Sequence, residues 1–180
     1  MKEQVERTFF KLLCSVITDT VAKIDDNLAL NDEFIKALCL LAKKHDLTHL
    51  ISYALINNGY IDKENKFYKP LLNEQFLAIS RSEKNAFALN ELCDVFENES
   101  VSYISLKGAV IKEFYPKPWF RTSCDIDVLV KKESAIKVAK ILEEGYNYTV
   151  DGKATTHDYG FITPNGTRLE LHFSSCIKEK

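Results

Sequence analysis

This sequence lacks the marks of several whole classes of protein. Cysteine occurs five times, at 14, 39, 93, 124 and 176, an odd number with no C-x-x-C spacing. That pattern argues against a disulfide framework or a cysteine zinc site and predicts reduced thiols in a cytoplasmic protein. The N-x-S/T sequons at Asn98, Asn147 and Asn165 accordingly carry no meaning as glycan acceptors. Long apolar runs are missing, and acids are interspersed in the N-terminal MKEQVERTFFKLLCSVITDT, so neither a membrane span nor a signal peptide is expected. Internal repeats and low-complexity segments are absent. The formal charge is only −2, so no global field draws the chain to nucleic acid or anionic membrane. Nor do the 11 Phe and 8 Tyr form a stripe on which bases could stack.

What is present reads as a soluble globular chain, 46% hydrophobic and 28% charged. Its 180 residues make one domain or two small ones. The first hundred residues follow helical periodicity. Phe9, Leu12, Leu13, Val16, Ile17 and Thr20 keep the i, i+3, i+4 spacing, a second helix starts after Asn31 or Asp32, and a third stops at Gly59. A long helix is predicted over 71–96. Near Ser100 the period changes. VSYISL, DIDVLV and the pair YGFIT and TRLELHF around Asn165-Gly166 read as strands, and AVIKEFY and ESAIKVAKILEEG as helices, with NYTV a turn or a strand. The fold class expected is α+β: a helical bundle over 1–98 packed on a mixed β-sheet with flanking helices over 99–180.

The chemistry starts in RTSCDIDVLV. On a strand Asp125 and Asp127 share one face while Ile126 and Val128 take the other. Two like charges side by side repel unless something positive lies between them. In RLELHF, Glu170 alternates to a polar face with Arg168 and His172. If that strand lies beside DIDVLV, three carboxylates converge in an oxygen-rich pocket suited to Mg²⁺ or Mn²⁺. Paired ions of this kind clamp the attacking and leaving oxygens of an in-line phosphoryl displacement.

Leu106-Lys107-Gly108, a helix, R-x-x-x-D-I-D-V-L-V and then L-E-L-H resemble the nucleotidyltransferase fold of the DNA polymerase beta superfamily. Within it the chain is most similar to the bacterial group called uncharacterised nucleotidyltransferases. The resemblance covers about residues 100–175. It implies that Asp125 and Asp127 bridge the catalytic metals and that Glu170 holds the one activating the acceptor hydroxyl. It also implies that Gly108 lets the backbone approach the triphosphate of an NTP, with Arg121 where the group also carries an arginine. Lys107-Gly108-Ala109 stands where many members have Gly-Ser or Gly-Gly, so Lys107 is expected to replace a serine contact to phosphate. Relatives usually continue into a helical segment, whereas this chain stops ten residues after Glu170, which reads either as a fragment or as an unusually short member. The implied activity moves an NMP group to an acceptor that could be RNA, protein or a small molecule.

Blander readings compete at each position. The two aspartates could be solvated charges at a sheet edge. The stretch 107–140 holds eight basic and four acidic side chains, which suits a polyphosphate ligand or an ordinary charged surface. His172 either contacts the NTP phosphates or is a hydrogen-bonded surface histidine, and His157 is a weaker candidate. His45-Asp46-Leu47-Thr48-His49 copies the spacing of a zinc-protease motif on what reads as an exposed helix turn. Its aspartate is a short arm and no third ligand is evident, so no zinc site is expected. A metal-dependent phosphohydrolase could use the same acids. A catalytically degenerate nucleotide-binding or toxin–antitoxin interaction module would need none of them.

Overall fold

The computed structural model describes residues 1–25, 28, 30–152 and 155–173. The α+β class holds: six α-helices and one five-stranded mixed sheet are found among the described residues. The chain divides into two compact units. One is built from 1–80 with 115–120, the other from 81–114 with 121–180. The sequence reading drew its boundary at 98/99, where helical periodicity gives way to strand; contacts instead divide the long helix.

The first unit is helical. Helix α1 (Lys2–Ile17) ends three residues before the expected Thr20, and its Val5, Phe9, Leu12 and Val16 form one buried stripe. Helix α2 (Asp32–Lys44) begins at a cap in which the Asn31 side chain accepts from the Phe34 amide at 2.9 Å. Helix α3 (Thr48–Asn57) is followed by Gly59 at φ +73°, a conformation glycine adopts without strain. Leu12, Ile35, Leu38, Ile51 and Leu55 meet in the core of this unit, with Phe120 against them. The expected exposed turn carrying His45 and His49 is corrected. His45 follows α2 on the surface, whereas His49 is buried on α3, its Nε2 3.3 Å from the Phe120 carbonyl oxygen.

Helix α4 (Tyr68–Asn98) runs 31 residues, with Pro70 confined to the first turn, where a missing N–H breaks no helical bond. Beyond Ser80 it belongs to the second unit, where Ala88, Leu92, Val95 and Phe96 face the sheet core. The strands are β1 (Tyr103–Ser105), β2 (Asp125–Val130), β3 (Thr149–Val150), β4 (Asp158–Ile162) and β5 (Arg168–His172), in the order β1-β2-β5-β4-β3. NYTV therefore supplies a short strand. The helix after β1 is only Lys107–Ile111 (α5), passing into a 3-10 turn at Lys112–Phe114. The predicted ESAIKVAKILEEG helix is a composite: a 3-10 turn, α6 (Ala135–Lys140) and a π-helical turn to Gly145.

Sheet alternation fixes everything that follows. Ile126, Val128 and Val130 of β2 and Leu169 and Leu171 of β5 are buried among Ala88, Leu92, Val138 and Leu142. Their neighbours in sequence must then project from the opposite face. The two acidic strands, expected to be neighbours, do pair, and they pair in parallel.

Candidate active site

The register of β2 on β5 sets Asp125 against Arg168, Asp127 against Glu170 and Leu129 against His172. On the neighbouring β4, the antiparallel register sets Gly160 against Glu170 and Asp158 against His172. One face of three adjacent strands thus gathers acids, a histidine and an arginine, because the other face is committed to the core.

Asp127, Glu170 and His172 come together. Each offers one ligand atom, and those atoms all lie within 4.8 Å of one another. Nε2 of His172 is 2.9 Å from Asp127 Oδ1 and 3.6 Å from Glu170 Oε2. Exposures of 12% for Asp127, 26% for Glu170 and 20% for His172 leave the group reachable from solvent without dissolving it in water. Arg168 offers Nη2 to Glu170 Oε1 at 3.5 Å and Nε to Asp151 Oδ2 at 3.2 Å. Two carboxylates and an imidazole converging at these separations form a donor set that fits a divalent cation.

Asp125 stands on the same face, one same-face step along β2 from Asp127. One carboxylate oxygen is 3.4 Å from the Ser123 hydroxyl, which donates at 2.9 Å to the Asp125 carbonyl. Among the described residues the close triad thus has His172 where the sequence reading put Asp125. The Ser123 loop is tied to α4 by Asn85, whose side-chain amide donates to the Ser123 carbonyl at 2.9 Å.

The Leu106-Lys107-Gly108 turn leaves β1 beside this group. The Leu106 amide donates to the Asp127 carbonyl at 2.9 Å, carrying the β1–β2 ladder to the level of the aspartate. Lys107 is exposed with φ +21°, at the edge of the left-handed region that side chains rarely adopt. Gly108 is buried, and a Cβ there would lie 3.0 Å from Ser123 Oγ. Arg121 is half-buried, its Nε enclosed and without a hydrogen-bond partner among the described residues. His157 is exposed, and its carbonyl accepts from the Phe173 amide at 2.9 Å.

Sequence reasoning missed Asp158, Asp151, Ser123 and Asn85. A signal for Asp158 was present. A hairpin centred on Asn165 pairs 160 with 170 and 158 with 172, so Asp158 falls opposite His172. Asp151, Ser123 and Asn85 come from just past the end of β3, a loop and a distant helix, and no local period marks them.

A family model described as uncharacterised nucleotidyltransferase matches residues 32–180. The chain belongs to this family. No curated protein matches it. Among solved structures, the lincosamide antibiotic adenylyltransferase LnuA, crystallised with lincomycin, is similar at 20% identity and TM-score 0.39. That match covers 48% of this chain and 53% of LnuA. The nucleotidyltransferase family match takes in the whole second unit and the face just described. No helix among the described residues is long and apolar enough to cross a membrane.

Proposed function

We propose that this chain is a nucleotidyltransferase that moves a nucleoside monophosphate group from an NTP to an acceptor hydroxyl. The observation that carries the reading is the in-register pairing of Asp127 with Glu170, which opens a cation-sized donor set on the polar face of a nucleotidyltransferase-family domain. Asp125, Asp127 and Glu170 are the residues that would hold Mg²⁺ or Mn²⁺. When bound, such a cation neutralises phosphate charge and aligns the displacement.

In the reaction, the acceptor oxygen forms a bond to the α-phosphorus. The bond from that phosphorus to the bridging oxygen breaks, and pyrophosphate leaves with the electron pair. The acceptor hydroxyl gives up its proton to water. Lys107 and Arg121 would meet the phosphates as positive charges. The buried Nε of Arg121 lacks an acceptor that a phosphate oxygen can supply. Gly108 would keep the backbone bare beside the phosphates, next to Ser123.

Calorimetric titration of Mg²⁺-NTP tests this reading. Charge-assisted contacts are worth about 1.5–3 kcal/mol, so Lys107→Ala should weaken binding by roughly one to two decades. Asp127→Asn should weaken it further while leaving the fold intact. An affinity unchanged in both variants at two ionic strengths would remove the nucleotide from this face.

A further inference from the structure

We infer that His172 is a nitrogen ligand to the cation held by Asp127 and Glu170, rather than a contact to the NTP phosphates. Asp158, anchored by Thr155, stands behind the ring to meet its other nitrogen when the cation binds, and the centre consequently favours Mn²⁺ over Mg²⁺. The inference rests on the metal reading proposed above.

Geometry carries it. His172 follows Glu170 on the same face of β5, and its Nε2 stands 2.9 Å from Asp127 Oδ1 and 3.6 Å from Glu170 Oε2. Metal–ligand bonds of ~2.1 Å put neighbouring donors of an octahedron about 3 Å apart. Nε2 thus stands at that spacing from Asp127 and somewhat wider from Glu170.

The far side of the ring is also arranged. Nδ1 lies 4.0 Å from Asp158 Oδ2, and Asp158 is the cross-strand partner of His172. The other oxygen of Asp158 accepts from the Thr155 hydroxyl at 2.7 Å. Thr155 Oγ1 in turn accepts from the His157 and Asp158 amides, each at 3.1 Å. This carboxylate is anchored through its own turn.

A carboxylate without a proton only accepts, so the 2.9 Å contact to such an Asp127 assigns the ring hydrogen to Nε2 while no cation is bound. A cation that takes the Nε2 lone pair leaves the ring hydrogen on Nδ1, where Asp158 faces it. Carboxylates behind metal-bound imidazoles fix the tautomer and strengthen the ligand in this way. An incidental surface histidine has no need of acids at both ring nitrogens. Mg²⁺ demands a near-ideal shell of oxygens, so an imidazole donor shifts preference toward a softer divalent ion. Asp158 and Thr155 are thus positioning residues.

The test uses the full chain and Mn²⁺ as the probe. Pulsed EPR should detect a directly bonded ¹⁴N in the wild-type complex, and Mn²⁺ should bind more tightly than Mg²⁺. His172→Gln should abolish the nitrogen coupling and narrow the Mn²⁺ preference. Asp158→Asn should keep the coupling but weaken Mn²⁺ by about 10–100-fold, with Asp158→Glu restoring part of it. Mn²⁺ bound without nitrogen coupling would overturn the inference and leave the oxygen-ligand centre standing. Coupling that survives His172→Gln would overturn it too, and unchanged affinity in Asp158→Asn would remove the positioning role. Failure of wild type to bind Mn²⁺ at all would overturn both this inference and the metal reading beneath it. The wild-type spectrum decides the ligand question whether or not any variant folds.

Discussion

Replacing Gly160 with alanine probes how tightly the sheet is built around Glu170. Gly160 pairs with Glu170 across β4 and β5. A Cβ at 160 would meet the Asp151 carbonyl oxygen at 2.4 Å, where real Cβ atoms stay beyond 3.0 Å, so the Asp151 backbone must retreat by at least 0.6 Å. It is poorly placed to retreat. The Asp151 amide donates to the Gly160 carbonyl at 2.8 Å, and its carboxylate holds Arg168 Nε at 3.2 Å. Forced repacking of this kind costs typically about 1–3 kcal/mol. Alanine returns about 0.5–1 kcal/mol through its smaller loss of backbone freedom. The net expectation is a loss of up to about 2.5 kcal/mol, or a melting midpoint lower by up to about 10 °C for a chain of this size. Gly145→Ala is the matched control: it lies in the same unit, and nothing stands within 4 Å of its Cβ position. Urea unfolding followed by circular dichroism compares the two. If Gly160→Ala proves as stable as Gly145→Ala, the close approach of Asp151 is refuted, and with it the support that Asp151 gives Arg168 beside Glu170.

Two further outcomes follow from the same packing. The Tyr148 phenol is pushed up to about 12, first by burial and then by Glu91 and Cys93, against an ordinary value of 10. Its contribution is fully present below pH 10 and lost as pH rises through the folded value, so stability should fall between pH 10 and 12 by up to roughly 2–3 kcal/mol; Tyr148→Phe should lessen that alkaline loss in urea titrations, and an identical loss in both proteins would contradict it. Asn31→Ala removes the cap on the Phe34 amide and should cost about 1 kcal/mol, whereas Asn31→Asp should retain most of it.

Much of the fold was legible because the elements announce themselves locally. Asn31 caps a helix, Gly59 ends one, and the Asn165-Gly166 turn sits between alternating strands. DIDVLV and RLELH show their faces by period alone, so a site built from Asp127, Glu170 and His172 could be approached from sequence. Three things could not. The helix after β2 looks regular in sequence but changes hydrogen-bond period twice, since tertiary packing overrides propensity over so short a run. The division of the long helix between two units depends on which residues its faces meet, not on its composition. The choice between Asp125 and His172 as third member of the triad is a matter of side-chain reach, which strand alternation leaves open.

The most direct test of the account is a transfer assay with the α-phosphate of an NTP labelled. The full chain is incubated with Mg²⁺ or Mn²⁺ and whole-cell extract, in wild-type form and as Asp127→Asn. The account predicts that wild type moves the label onto a new RNA, protein or small-molecule species with one pyrophosphate released per transfer. It also predicts that Asp127→Asn loses this by about 10²-fold or more. Label appearing only as free nucleoside monophosphate, or equal transfer by the two proteins, would contradict it.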